Sequence, residues 1–246
     1  MGNRIVNYVP VKQGIYETSV TKRGDIGSVL EFEDGRKFVY SLNGTAALEP
    51  AILCQGPVEV ATKKAEALSV AIAIGDTTAT IVTAEAFDAN ELQDGWLLIE
   101  GETAGYMGHM RKIKSNPAAA TSSTMVITVY DAFTDIATVA AETVNIIPNP
   151  YNGVIANTVT TTDGQLLGIP VCHVPIAYYF WLQVAGPAPI ITGEDTIIPG
   201  QMLCVDATAG TAMMVDNIAD LEQIGLAMQA QSDGGNATIV WLNLRK

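Results

Sequence analysis

Hydrophobic residues along this chain recur with a period of two far more often than with a helical period. Lys37 to Ser41, Val70 to Ile74, Thr78 to Thr83, Gly95 to Ile99, His109 to Lys114, Thr124 to Tyr130 and Tyr178 to Val184 are rich in β-branched and aromatic residues, and their alternation predicts half-buried strands. Pro57 to Ser69, PVEVATKKAEALS, has enough Ala, Lys and Glu to predict one short helix. Near the C-terminus, Ile224 to Gln231 and Ala237 to Leu244 flank Ser232-Asp-Gly-Gly-Asn236, whose glycines suit a hairpin loop. In the second of these strands Ile239 and Trp241 share one face, while Val240, Leu242 and Leu244 share the other. Two apolar faces predict a central strand. Upstream, Ile197 to Val205 reads as a turn leading into a strand, and Asp206 to Thr211 as the next turn.

These elements predict a mainly β protein of β-barrel or sandwich-like domains, with few short helices and an extended N-terminal arm. Turn formers at Asn149-Pro-Tyr-Asn-Gly153 mark a boundary. The expected division is an arm with first strands at 1–45, a β-rich domain at 46–150 and a compact C-terminal β domain at 151–246. Leu166 to Ile191 is apolar enough to resemble a membrane span, but Pro170, Pro175, Pro187 and Pro189 favour short strands and turns over a continuous helix. No membrane partner is expected.

Charge adds a polarity to this picture. The formal net charge of −13 disfavours a nucleic-acid partner, because phosphate binding needs Lys and Arg. Residues 1–40 hold Arg4, Lys12, Lys22, Arg23, Arg36 and Lys37, six of the thirteen basic residues, whereas none lies between Ser115 and Leu244. Such a distribution fits either a solvated acidic face or a weakly basic arm that docks an acidic body onto a partner.

Residues able to do chemistry are few. His109 and His173 stand apart from any nucleophile elbow, zinc helix or phosphate loop, so no enzyme activity is expected. Cys54, Cys172 and Cys204 lack metal-ligand spacing and read as reduced thiols, and no cofactor or metal is expected. Glu194-Asp195 reads as a turn rather than as a glycosidase pair. The run Tyr178-Tyr-Phe-Trp181 fits a strand buried on both faces, a subunit interface bearing Tyr179 or Trp181, or a carbohydrate platform.

Several segments together resemble a known family. Ile169-Pro-Val, Tyr179-Phe-Trp-Leu-Gln-Val-Ala-Gly-Pro-Ala-Pro189, Ile198-Pro-Gly-Gln-Met-Leu203, Ala209-Gly210, Ile224-Gly-Leu-Ala227 and Ala237 to Leu244 have the cadence of capsid decoration (cement) proteins of tailed bacteriophages. Gly35 to Tyr40, Thr45 to Leu48 and Asn149 to Val154 share it. The resemblance implies a structural protein on the virion surface, made in the host bacterial cytoplasm, forming homo-oligomers, chiefly trimers, that bridge major capsid subunits. Under that reading Arg4, Tyr8, Lys12, Lys22 and Arg23 contact the shell, and deleting residues 1–24 should leave a folded protein that no longer binds capsids. The competing expectations are a tail, baseplate or head-fibre protein and a carbohydrate-binding module.

Overall fold

The computed structural model describes residues 5–7, 11–58, 63–101, 108–134, 142–158, 164–193, 196–215, 223–232 and 234–244. Its elements are all strands: β1 (Ile5–Asn7), β2 (Val29–Phe32), β3 (Lys37–Asn43), β4 (Cys54–Gln55), β5 (Glu66–Leu68), β6 (Thr78–Val82), β7 (Trp96–Gly101), β8 (Met110–Ser115), β9 (Thr124–Val129), β10 (Glu142–Ile147), β11 (Asn152–Ala156), β12 (Leu166–Pro170), β13 (Tyr179–Ile191), β14 (Met202–Val205), β15 (Ala212–Met214), β16 (Gln223–Ala227) and β17 (Ala237–Asn243). The mainly β expectation therefore holds, and no α-helix occurs among the described residues. The helix expected over Pro57 to Ser69 is replaced in part by β5, because pairing with β6 and β10 overrides a modest helix propensity. Val70 to Ile74 does not form the expected strand: Ile72 is buried, but Val70 and Ile74, which alternation would put on the same face, are exposed. Asp76 Oδ2 instead accepts the Ala73 N–H at 2.8 Å and Gly75 takes a positive φ, closing a turn.

The chain divides into two compact units, residues 1–58 with 150–246 and residues 59–149. This replaces the three-part division at 45 and 150, since β2 and β3 belong to the same sheet as the C-terminal strands. The second unit is an insertion between β4 and β11, which are hydrogen-bonded neighbours, so the chain leaves and rejoins the first unit at one place.

In the inserted unit six strands close in the order β10-β5-β6-β9-β8-β7. Alternate residues point inward, among them Leu68, Ala79, Ile81, Leu97, Ile99, Ile113, Met125, Ile127, Val144 and Ile146, and Phe87 and Phe133 join the same core. Glu66 is an exception on the inner face. Both its oxygens accept the Ala84 N–H, at 3.0 and 3.1 Å, and burial, reinforced by the nearby Glu85, pushes its carboxyl above the usual range.

The first unit is an eleven-stranded sheet organised around β13. Along Tyr179 to Ala185 this strand pairs with β3, and along Ala185 to Ile191 with β17. The pairings β3–β11, β11–β4, β4–β12, β12–β13 and β13–β3 form a closed circuit, with Cys54, Val154, Leu167, Phe180 and Leu182 in one core cluster. Beyond the circuit the order continues β13-β17-β16-β14-β15 over a second cluster that includes Ile190, Leu203, Ile224, Val240 and Leu242.

At the change of partner, Gly186 has φ 83°, and a Cβ there would lie 2.7 Å from the Gly35 carbonyl oxygen. The Gln183 amide nitrogen donates to the carbonyls of Ala185 and Pro187 at 3.2 and 2.8 Å. Pro187 and Pro189 are tolerated because of which edge they occupy. Thr192 N–H donates towards Asn236, beside β17, whereas Ile191 N–H donates the other way, to Ala51. Alternation puts the proline nitrogens on the Ala51 side, where the β17 ladder needs no donor.

Two tests address these constraints. A Cβ on Gly225 of β16 would sit 2.1 Å from the Trp241 carbonyl oxygen, so Gly225→Ala is expected to lower stability by about 1–3 kcal/mol in urea unfolding. For Glu66, a raised folded-state pKa gives a contribution that is present below the unfolded pKa and lost as pH rises through the folded one. Glu66→Gln is therefore expected to gain stability relative to the wild type between acidic and neutral pH, and parallel pH curves would refute this.

Candidate interaction surfaces

Residues 11–24 do not form a free arm. They lie as a belt against β3 and β13, and the hub is Gln13. Its amide nitrogen donates to the carbonyls of Glu17 and Tyr179 at 2.8 and 2.9 Å, and its amide oxygen accepts the Tyr40 hydroxyl at 3.1 Å. Its own backbone carbonyl accepts the Trp181 indole N–H at 2.8 Å. Ser19 and Tyr179 exchange backbone bonds at 3.0 and 2.7 Å, and the Arg23 N–H donates to the Tyr40 hydroxyl at 3.0 Å. Burial pushes the Tyr40 phenol above its ordinary pKa.

Beneath the belt the aromatic run forms a stack. Tyr40 stands opposite Trp181 in the β3–β13 register, edge to face at 5.3 Å, and lies parallel to Tyr179 at 5.8 Å. Trp181 is fully buried within the chain itself. It cannot supply the oligomer contact expected of it, because the belt already covers its ring and satisfies its only donor. Tyr179 is half-buried and supports the belt through its backbone.

Of the residues expected to meet a partner, Arg4 and Tyr8 lie outside the described residues. Lys12 and Arg23 are exposed and adjacent, with Arg23 Nη1 donating to the Lys12 carbonyl at 3.0 Å. Lys22 is half-buried on the same segment. Beside these cations the belt exposes Tyr16 and Val20, which the sequence reading did not single out. Because the belt roofs Trp181 and Tyr40, deleting residues 1–24 would strip a core as well as a surface, contrary to the expectation that the remainder stays folded.

The molecule has a second exposed surface. β17 is central as expected, but its outer apolar face, with Ile239 and Trp241, is open to solvent. The double alternation of this strand signals an apolar outer face without telling which of its two faces stays bare.

Elsewhere the chemistry is sparse. His173 Nδ1 lies 2.9 Å from Glu49 Oε1, with both side chains exposed. Among the described residues no group of three or more His, Cys, Asp or Glu is placed to hold a metal ion. Cys54, Cys172 and Cys204 are free thiols, and burial pushes those of Cys54 and Cys172 up. Glu194 and Asp195 lie outside the described residues. The inserted unit has an open groove of about 560 Å³ lined by Ala86, Phe87, Asp88, Glu91 and Ala118 to Ala120. Its Glu91 carboxylate is engaged by Lys63 at 3.1 Å and by the Asp88 N–H at 3.0 Å. No helix among the described residues is long and apolar enough to cross a membrane, and the span-like segment Leu166 to Ile191 contains β12 and β13.

No protein-family model matches the chain, and no curated protein or solved structure is significantly similar to it.

The belt makes a stability prediction. Gln13→Ala removes the acceptor of the Tyr40 hydroxyl and two side-chain donations, with an expected loss of about 1–3 kcal/mol. Limited proteolysis should then cut within residues 11–24 sooner than in the wild type.

Proposed function

We propose that the chain is a structural virion protein that binds the outer surface of a tailed-bacteriophage capsid and stabilises it by bridging major capsid subunits. The observation that carries this reading is the belt. On a strongly acidic protein it offers two adjacent cations, Lys12 and Arg23, together with exposed Tyr16 and Val20, on backbone held by Gln13, Tyr40 and Trp181. Cations steer a partner and fix its register, while aromatic and apolar side chains supply anchoring contact. Because the belt is already ordered, docking costs little conformational entropy.

The segments that carry the resemblance to decoration proteins supply further support, since several of them fold as strands of one sheet: β13, β14, β16 and β17. A protein that binds an assembled lattice, and not its separate subunits, shifts assembly towards the lattice by mass action. Repeated over a shell, a weak contact suffices. In this reading the chain is made in the cytoplasm of the host bacterium and resides on the virion surface, and catalysis has no part in its role.

Cosedimentation with purified heads that lack the protein tests the proposal. The wild type is expected to pellet with them, and Lys12→Glu with Arg23→Glu to bind at least ~10-fold more weakly at unchanged circular dichroism. Equal binding by the variant would remove the belt from the contact. Density on the tail instead of the head in electron micrographs of whole particles would overturn the capsid reading.

A further inference from the structure

The outer face of β13, β17, β16 and β14 is arranged as two apolar rows. In the first, Pro187 stands opposite Trp241, Trp241 opposite Leu226, and Leu226 opposite Met202. In the second, Pro189 stands opposite Ile239, and Met228 follows on, its N–H donating to the Ile239 carbonyl at 2.8 Å. Directly opposed residues share a face, so these side chains lie side by side across four strands. The opposite face of the same strands is the buried core of Ile190, Leu203, Ile224, Val240 and Leu242.

Leu226, Met228, Ile239 and Trp241 are 44%, 48%, 42% and 45% exposed. With about 200 Å² for each large side chain, that leaves on the order of 350 Å² of apolar surface. A patch of this size is often functional, and it amounts to nearly half of the roughly 800 Å² that each partner gives to a standard interface.

We propose that this face packs against the same face of a second copy of the chain, giving a two-fold dimer. Charge selects the occupant. The protein carries a formal net charge of −13, so two copies repel unless they meet where charge is absent. None of β13, β14, β15, β16 and β17 contains a charged residue. Beside Trp241, whose ring lies against Gly35, stands the Asp34–Arg36 ion pair at 2.8 Å, which is neutral overall. A basic partner would find no acid on these strands, and Asp34 at their rim is already paired with Arg36, whereas a like-charged copy loses least by docking here.

Geometry selects the mode. Pro187 and Pro189 remove donors from the edge of β13 that faces Ala51, which disfavours strand addition there and leaves face-to-face packing of the two sheets, about 10 Å apart. A patch that meets its own copy does so about a two-fold axis. The contact thus differs from the trimer implied by the resemblance, and it moves the oligomer contact from Trp181 to Trp241. It concerns self-association and stands whether or not the chain binds a capsid.

Sedimentation equilibrium on the full chain over a micromolar concentration series tests it. The wild type is expected at the dimer mass, and Leu226→Glu with Ile239→Glu at the monomer mass with unchanged circular dichroism. Should the glutamate pair fail to fold, Leu226→Ser with Ile239→Thr, which keeps β-branching at 239, is expected to weaken the dimer in the same series. A monomeric or trimeric wild type would overturn the proposal, as would folded variants that keep the dimer mass. Cosedimentation with heads, run on the same samples, reports separately: a dimer that fails to pellet removes the capsid reading alone.

Discussion

The first unit depends on one strand changing partners. β13 is thirteen residues long, and no single neighbour follows it throughout: β3 accompanies its first half and β17 its second. The change exposes two carbonyls that the irregular ladder would leave open, and the Gln183 side chain takes both. It also brings the backbone against Gly35 and Arg36, a distance that tolerates glycine at 186 and no side chain. Without this junction the closed circuit and the five-strand wing would not share a strand, and their two cores would not be contiguous in one sheet.

The belt and the open face follow from the same strand. The first half of β13 presents Tyr179 and Trp181 on the side that residues 11–24 cover, while the second half contributes Pro187 and Pro189 to the uncovered apolar rows. Covering one and leaving the other bare is a matter of hydrogen bonding as much as hydrophobicity. Trp181 has an indole donor that must be satisfied when buried, and Gln13 meets it. Pro187 and Pro189 make no such demand.

Local pattern made the strands legible wherever alternation was matched by a neighbour: β3, β6, β7, β8 and β9 all fall where period two places them. It misled where a residue's meaning was set from afar. The prolines after Val184 read as breakers, yet β13 runs on to Ile191, because a proline costs a strand only a donor that this edge does not use. Trp181 owes its burial to a residue 168 positions earlier, which no window along the sequence could reveal. Likewise, the two apolar faces of β17 identified a central strand correctly but not which face would remain bare. Of the residues expected to meet a partner, Lys12 and Arg23 lie exposed on the belt, and the exposure of Tyr16 and Val20 beside them follows only from the path of the belt.

The insertion of residues 59–149 between neighbouring strands sets an order of events during synthesis. All the strands of the inserted barrel leave the ribosome before β11, β12 and β13 exist, and they pair only with one another. The N-terminal strands, by contrast, emerge first and must wait for the C-terminal half, since β3 has its long partner in β13. Such distant pairing is slow to form, and an early, self-contained module shortens the effective chain that must be searched. The nascent protein thus carries a finished domain in its middle while β3 still waits for its long partner β13.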